Sequence, residues 1–142
     1  DERIGVCVYV HDSNPSAREF QDLELRDGRR LYEAVAEAVA KKWNTNGNVF
    51  VEAGATYPKE LGRVREIIGE DMVLMVAGIG AQGGKIENLK GLFGRERARL
   101  LVNSSRGIIF AGEGKDGKEY FHAVRQAAKT LRDALYRLSG KR

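Results

Sequence analysis

The sequence predicts an α/β fold in which a parallel sheet is covered by helices. Two observations carry this expectation. Four continuous apolar runs alternate along the chain with segments whose apolar residues recur at helical spacing. The unusual polar and glycine-rich residues gather just after those runs. In a parallel α/β protein the C-terminal ends of the strands form the ligand-binding edge, whether the sheet is open or closed.

The first strand is expected over residues 4–10, a Val-rich run ending in His11-Asp12-Ser13-Asn14-Pro15-Ser16. A helix follows over about 31–43, with Leu31, Val35, Ala38 and Val39 on one face, and residues 44–48, containing Gly47, stop it. The second strand covers 49–53 and leads into Gly54-Ala55-Thr56-Tyr57-Pro58. Thr56 suits an N-cap and Pro58 the first helical turn, so the next helix runs 58–68 and Gly69 closes it. The third strand covers 72–76, followed by the glycine-rich stretch 78–84 and a weak helix at 86–92. The fourth covers 100–103; residues 108–111 continue as an apolar turn before a final helix over about 118–138. Phe121, Val124, Ala128, Leu131 and Leu135 mark that helix's expected buried side.

At 142 residues, 42% hydrophobic and 31% charged, the chain has the makings of one globular domain with its own core. No linker or low-complexity tract divides it, so a single domain over 1–142 is expected. Four βα units are half of a (βα)8 barrel, which needs about 250 residues. A half barrel would leave two bare edges and an open interior, and so a drive towards association. Periodicity alone does not exclude a small open doubly wound sheet.

The net charge of +4 is spread along helix faces beside acids, as in Arg63-Arg65-Glu66 and Lys129-Arg132-Asp133. That is the pattern of solvated helices, not of a nucleic-acid surface, while a modest positive balance suits a small anionic ligand. No run approaches the roughly 20 apolar residues of a membrane span. The run 4–10 is too short for a signal peptide and is followed by His11 and Asp12, so a cytoplasmic protein is expected. The lone Cys7 lies inside an apolar run and reads as a buried structural thiol. With two histidines and one cysteine, neither a metal site nor a Ser-His-Asp set is expected, nor any cofactor.

Gly78-Ile79-Gly80-Ala81-Gln82-Gly83 spells the dinucleotide fingerprint G-x-G-x-x-G. That pattern requires a firm helix straight afterwards and an acid about 20 positions on, ending the next strand. Here Gly84-Lys85 follows and the next strand ends in Asn103. The stretch reads better as a loop whose glycines expose backbone N–H groups to an anion, with the Gln82 amide as a further donor. A purely structural glycine turn is the plain alternative. Arg106, beside Ser104 and Ser105, carries a guanidinium suited to bidentate pairing with phosphate; capping of the final helix is its ordinary alternative. Ser13 is placed to bond a ligand's polar ring, or simply to make a Ser-Asn-Pro turn. His122 is expected on an exposed face of the last helix.

Taken in order, these loops resemble orotidine 5'-monophosphate decarboxylase, particularly its bacterial-type branch. The resemblance is carried by Ser13-Asn14-Pro15, Gln21-Asp22-Leu23-Glu24-Leu25, Gly54-Ala55-Thr56-Tyr57-Pro58 with Glu60-Leu61, Gly78-Ile79-Gly80-Ala81-Gln82-Gly83-Gly84, and Asn103-Ser104-Ser105-Arg106-Gly107-Ile108-Ile109. It implies a TIM (βα)8 fold of which the C-terminal four units are present. It further implies phosphate binding by Gln82, Gly83, Ser105 and Arg106, within a loop framed by Gly78, Gly80 and Gly84, and pyrimidine contact by Ser13. The implied ligand is a nucleotide monophosphate or phosphate.

The family's Asp-x-Lys-x-x-Asp motif, contributed by the first half of its barrel, does not occur here, so no catalytic residue is assigned to this chain. Lys115-Asp116 and Lys118-Glu119 read as solvated charge at the start of the last helix. Three residues depart from the family pattern: Ala77 in place of proline, Asp12 in place of threonine, and Glu52 at an apolar strand position. Three functions are compatible with this reading. The chain is half of a decarboxylase that needs an N-terminal half-barrel partner, a non-catalytic half-barrel that pairs with a second copy of itself, or an unrelated small α/β phosphate-binding module.

Overall fold

The computed structural model describes residues 1–93 and 99–140. Four parallel strands, β1 (Val6–His11), β2 (Val49–Gly54), β3 (Leu74–Ala77) and β4 (Leu100–Val102), form one sheet in chain order. The connecting helices are α1 (Ala17–Phe20), α2 (Leu31–Ala38) and α3 (Pro58–Ile68); α4 (Ser105–Ile109) and α5 (Gly117–Leu138) follow β4. This order separates the two architectures left open by periodicity. A doubly wound sheet reverses direction at a switch point. Here every crossover steps the same way, as it does round a barrel. The sheet is an arc of four βα units.

Successive strand residues point to opposite faces. Val10, Val51, Ala53, Leu74, Val76 and Leu100 turn to one face and are buried with Tyr32, Ala36 and Val39 of the second helical segment and Leu61, Val64 and Ile68 of α3. The other face carries the paired row Tyr9, Glu52, Met75 and Leu101. It stands open: Tyr9 is 55% and Leu101 47% exposed. Strands apolar along their whole length are built for cover on both sides, and only one side has it here.

Cys7 lies on that open face, two residues before Tyr9, and is exposed where the sequence suggested a buried thiol. Its sulfur is nevertheless turned to the Glu52 carboxylate at 3.7 Å. Local desolvation, then the Glu52 charge and hydrogen bond, push the thiol up to about 11. An inert thiol is still the outcome, for an electrostatic reason and not because it is buried.

Other elements differ from expectation at their ends. The segment 31–43 is α-helical only to Ala38 and finishes as a π turn, Val39–Trp43. Residues 86–92 hold one 3-10 turn, Ile86–Leu89, and residues 108–111 are helical, in α4 and a 3-10 turn at Phe110–Gly112. The N-cap of α3 is Tyr57, not Thr56, whose hydroxyl donates instead to the Ser13 carbonyl at 2.8 Å.

The α5 stripe is only partly covered. Phe121 is 69% exposed, Ala128 is exposed, and Val124, Leu131 and Leu135 are half-buried. Clefts of about 570 and 580 Å³ flank the helix, lined by residues such as Phe93, Leu100 and Leu135 and by Ile86, Ile108 and Ala127. The cause is positional: β4 is the last strand of the arc and only three residues long, so α5 has sheet beneath one flank alone.

Arg65 ties the turns at the opposite end of the sheet. Buried on α3, its guanidinium donates to the carbonyls of Leu92, Gly69, Met72 and Arg99 at 2.8–3.0 Å.

Candidate functional site

Three loops meet at the C-terminal ends of the strands. The loop after β3 is closed on itself. The Gly80 N–H donates to the Gly84 carbonyl at 2.9 Å, Gly83 to Gly80 at 2.8 Å and Gly84 to Gly78 at 3.0 Å. These three glycine amides, expected to face an anion, are thus turned inward to hold the loop's shape. What the loop offers outward is the exposed Gln82 side chain.

The turn after β4 faces it. Asn103 is tied to β3 through its N–H and the Val76 carbonyl at 2.8 Å, and the Ser104 hydroxyl reaches the Ile79 carbonyl at 3.4 Å. Ser105 donates its hydroxyl to the Asn103 side-chain oxygen at 3.2 Å and opens α4, whose first-turn amides have no intrahelical acceptor. Together the two turns line one small cavity of about 60 Å³, bounded by Gly78, Gln82, Asn103, Ser104, Ser105 and Arg106 among others. A liquid water occupies about 30 Å³, so this space is on the scale of a tetrahedral oxyanion and far too small for a nucleoside. Arg106 is exposed, and among the described residues its guanidinium has no carboxylate partner. Of the larger clefts beside α5, the one lined by Phe93, Leu100 and Leu135 shares no residue with this cavity, while the other adjoins it through Ile79 and Ser104.

Ser13 reaches the same place from β1. A β carbon built on Gly78, whose φ is 86°, would stand 2.9 Å from the Ser13 Cβ and 3.4 Å from the Gln82 Oε1. Gly78 is therefore the meeting point of the β1 loop and the β3 loop, and no side chain fits between them. Sequence reasoning named Ser13, Gln82 and Arg106, and the fold brings all three to one sheet edge.

It missed the framework around Ser13. His11 is buried, with its ring edge-on to Tyr32 (5.1 Å between centroids) and Tyr57 (4.9 Å). It spans the Asp12 carbonyl (Nδ1, 3.2 Å) and the Asp22 carboxylate (Nε2, 3.1 Å). The Asp12 N–H donates to the Gln21 Oε1 at 2.7 Å, and the Asp12 carboxylate accepts the Ser13 N–H at 2.6 Å. The signal was present in the sequence, since Gln21 and Asp22 belong to the motif that carries the resemblance, but nothing in their spacing says that they return to the β1 turn.

Of the two unexpected acids, Asp12 is engaged with Ser13 in this way. Glu52 is 4% exposed on the open sheet face, between Cys7 and Tyr9. The phenol of Tyr9, hydrogen-bonded to that carboxylate, is pushed up to about 12. Among the described residues Glu52 has no cationic partner. Those residues also gather no cluster of three His, Cys, Asp or Glu side chains able to hold a metal, and include no helix long and apolar enough to cross a membrane.

No family model matches the sequence. Individual proteins do. The chain is 45% identical over 132 residues to an orotidine 5'-phosphate decarboxylase of Bordetella avium, covering 92% of this chain and 47% of that protein. A decarboxylase of the same name from Halorubrum lacusprofundi is 49% identical, with 94% and 51% covered. Among solved structures, the OMP decarboxylase of Leishmania donovani superposes with a TM-score of 0.70 at 29% identity, covering 93% of this chain and 48% of that one. The chain spans about half the length of the curated relatives it matches, and its four-stranded arc corresponds to about half of their barrel. On these likenesses, the chain belongs to the orotidine 5'-phosphate decarboxylase family.

Proposed function

We propose that residues 1–142 act as one unit, the C-terminal half of an orotidine 5'-monophosphate decarboxylase-like barrel, which binds a nucleotide 5'-phosphate in the cytoplasm. The observation that supports this most directly is the small cavity shared by the two turns after β3 and β4, with an exposed guanidinium on its wall. Arg106 and the Gln82 amide supply donors to the dianion, with the first-turn amides at Ser105. Gly78, Gly80, Gly83 and Gly84 serve by shaping the loop that carries Gln82. Ser13, next to Gly78, faces the base side.

Decarboxylation to UMP in this reading requires an N-terminal half-barrel that contributes the lysine and aspartates. No cofactor is needed, because the work is electrostatic stabilisation of a developing carbanion. The open sheet face and the two edge strands are the surfaces such a half would cover. Mixing the protein with the N-terminal half of a related decarboxylase and following orotidine 5'-monophosphate consumption tests this. Restored turnover is expected, and a stable complex without turnover would refute it.

The second reading is a non-catalytic homodimer of two arcs, favoured by the same bare edges and by the prevalence of two-fold pairing. Glu52 weighs against it. Two copies closing one ring would bring two buried carboxylates, neither with a cationic partner among the described residues, into a shared interior, an arrangement that low-polarity surroundings penalise. Sedimentation of the protein alone and with the added half distinguishes the two.

A further inference from the structure

The three peptide groups around Ser13 are each held by a different side chain. Gln21 accepts the Asp12 N–H at 2.7 Å, the His11 ring meets the Asp12 carbonyl at 3.2 Å, and Thr56 donates to the Ser13 carbonyl at 2.8 Å. Tyr57 adds a contact to the next carbonyl, that of Asn14, at 3.2 Å. The anchors come from three separate places: the end of β1, the segment after α1 and the loop after β2. Ordinary turns satisfy their peptides locally. This one adds to its local bonds, at His11 and the Asp12 carboxylate, anchors from two other segments, Gln21 and the Thr56-Tyr57 pair. Its hydroxyl stands 3.4 Å from the Asp12 carboxylate, which itself accepts the Ser13 N–H.

None of these anchors lines the 60 Å³ cavity, whose walls come from the β3 and β4 turns. The site therefore has two parts that meet at Gly78: a phosphate side built on β3 and β4, and a side built on β1 and clamped by its neighbours, which the nucleotide reading gives to the base. We propose that Thr56 and Gln21 are positioning residues for Ser13, and that they set the preference for a nucleoside monophosphate over a bare sugar phosphate. This rests on the nucleotide reading above and deepens it by assigning the source of base recognition. Pre-set polar groups gain their selectivity from being held in place before the ligand arrives, so loosening the clamp costs affinity only for a ligand that has a base.

The test compares two ligands, UMP and ribose 5-phosphate, by equilibrium titration of wild type, Thr56→Val, Thr56→Ser and Gln21→Met. Thr56→Val keeps the shape and loses the donor; Thr56→Ser keeps the donor. Thr56→Val and Gln21→Met are expected to weaken UMP about three- to tenfold, the range for one ordinary hydrogen bond. Ribose 5-phosphate affinity should stay within twofold, and Thr56→Ser should restore UMP binding. Equal losses for both ligands, or unchanged UMP affinity, would overturn the assignment while leaving phosphate binding intact. A wild-type protein that binds neither ligand overturns the nucleotide reading and this inference together.

Discussion

A β carbon on Gly54 would stand 2.6 Å from the Ser13 Cα, closer than real β carbons approach backbone. The end of β2 and the β1 loop are thus in direct main-chain contact, which is how Thr56 comes to reach the Ser13 carbonyl. Gly54→Ala forces that loop outward. The expected cost is about 1–3 kcal/mol of stability, the range for overpacking a close-fitting site, read by urea denaturation. A stability equal to wild type would mean that the two segments are free to part.

Arg106→Ala is expected to weaken UMP binding by about 1.5–3 kcal/mol, the range for hydrogen bonds to charged groups, with little change in the unfolding midpoint because the side chain is exposed. Arg106→Lys should recover only part of the loss, since an ammonium lacks the planar fork. Titration calorimetry decides the matter: unchanged affinity in the alanine variant removes Arg106 from the phosphate site.

Arg65 is the reverse case, a cation used for architecture. Arg65→Met leaves four main-chain acceptors near the far end of the sheet without their donor, and a loss of at least about 3 kcal/mol is expected. Desolvation by burial lowers the Arg65 pKa from its ordinary value; a guanidinium nevertheless keeps its charge in proteins, so the loss should be flat between pH 6 and 8. A thermal melt within a degree of wild type would contradict the role.

Cys7 and Tyr9 give the protein an alkaline signature. Both pKa values are raised on folding, to about 11 and about 12. The folded state therefore holds these protons more tightly than the unfolded chain, and stability falls as pH climbs through that range. The loss should begin near pH 9, where the unfolded thiol ionises. At pH 8 iodoacetamide should label the exposed Cys7 far more slowly than a free peptide thiol, and Glu52→Gln should speed the labelling several-fold. Equal rates in wild type and variant would show that the carboxylate does not govern this thiol.

Much of this is legible in the residues alone. Apolar runs and helical spacing located the four strands and α3, because burial and periodicity are local properties of the chain. Strand order was not readable from periodicity, which is the same whether crossovers step one way or reverse; it followed only from the family resemblance. Cys7, Tyr9 and Glu52 show why burial was harder: alternation says which residues share a face, yet says nothing about whether another element covers it. Ser13, Gln82 and Arg106 were visible as unusual residues after strands. The destination of Gln21 and Thr56 was not, because each bonds main chain that lies across a turn or a crossover, and side-chain-to-backbone bonds leave little trace in residue type.

The one-way winding of the sheet has a consequence for how a gene could encode the finished ring. β1 and β4 are the two free rims of an arc, and any complement that closed it into a ring would have to pair with both rims at once. Backbone pairing takes no notice of which piece was translated first. The same closed ring would form from a complement placed ahead of β1, behind α5, or on a separate polypeptide. The geometry fixes who sits beside whom and leaves the order of translation open.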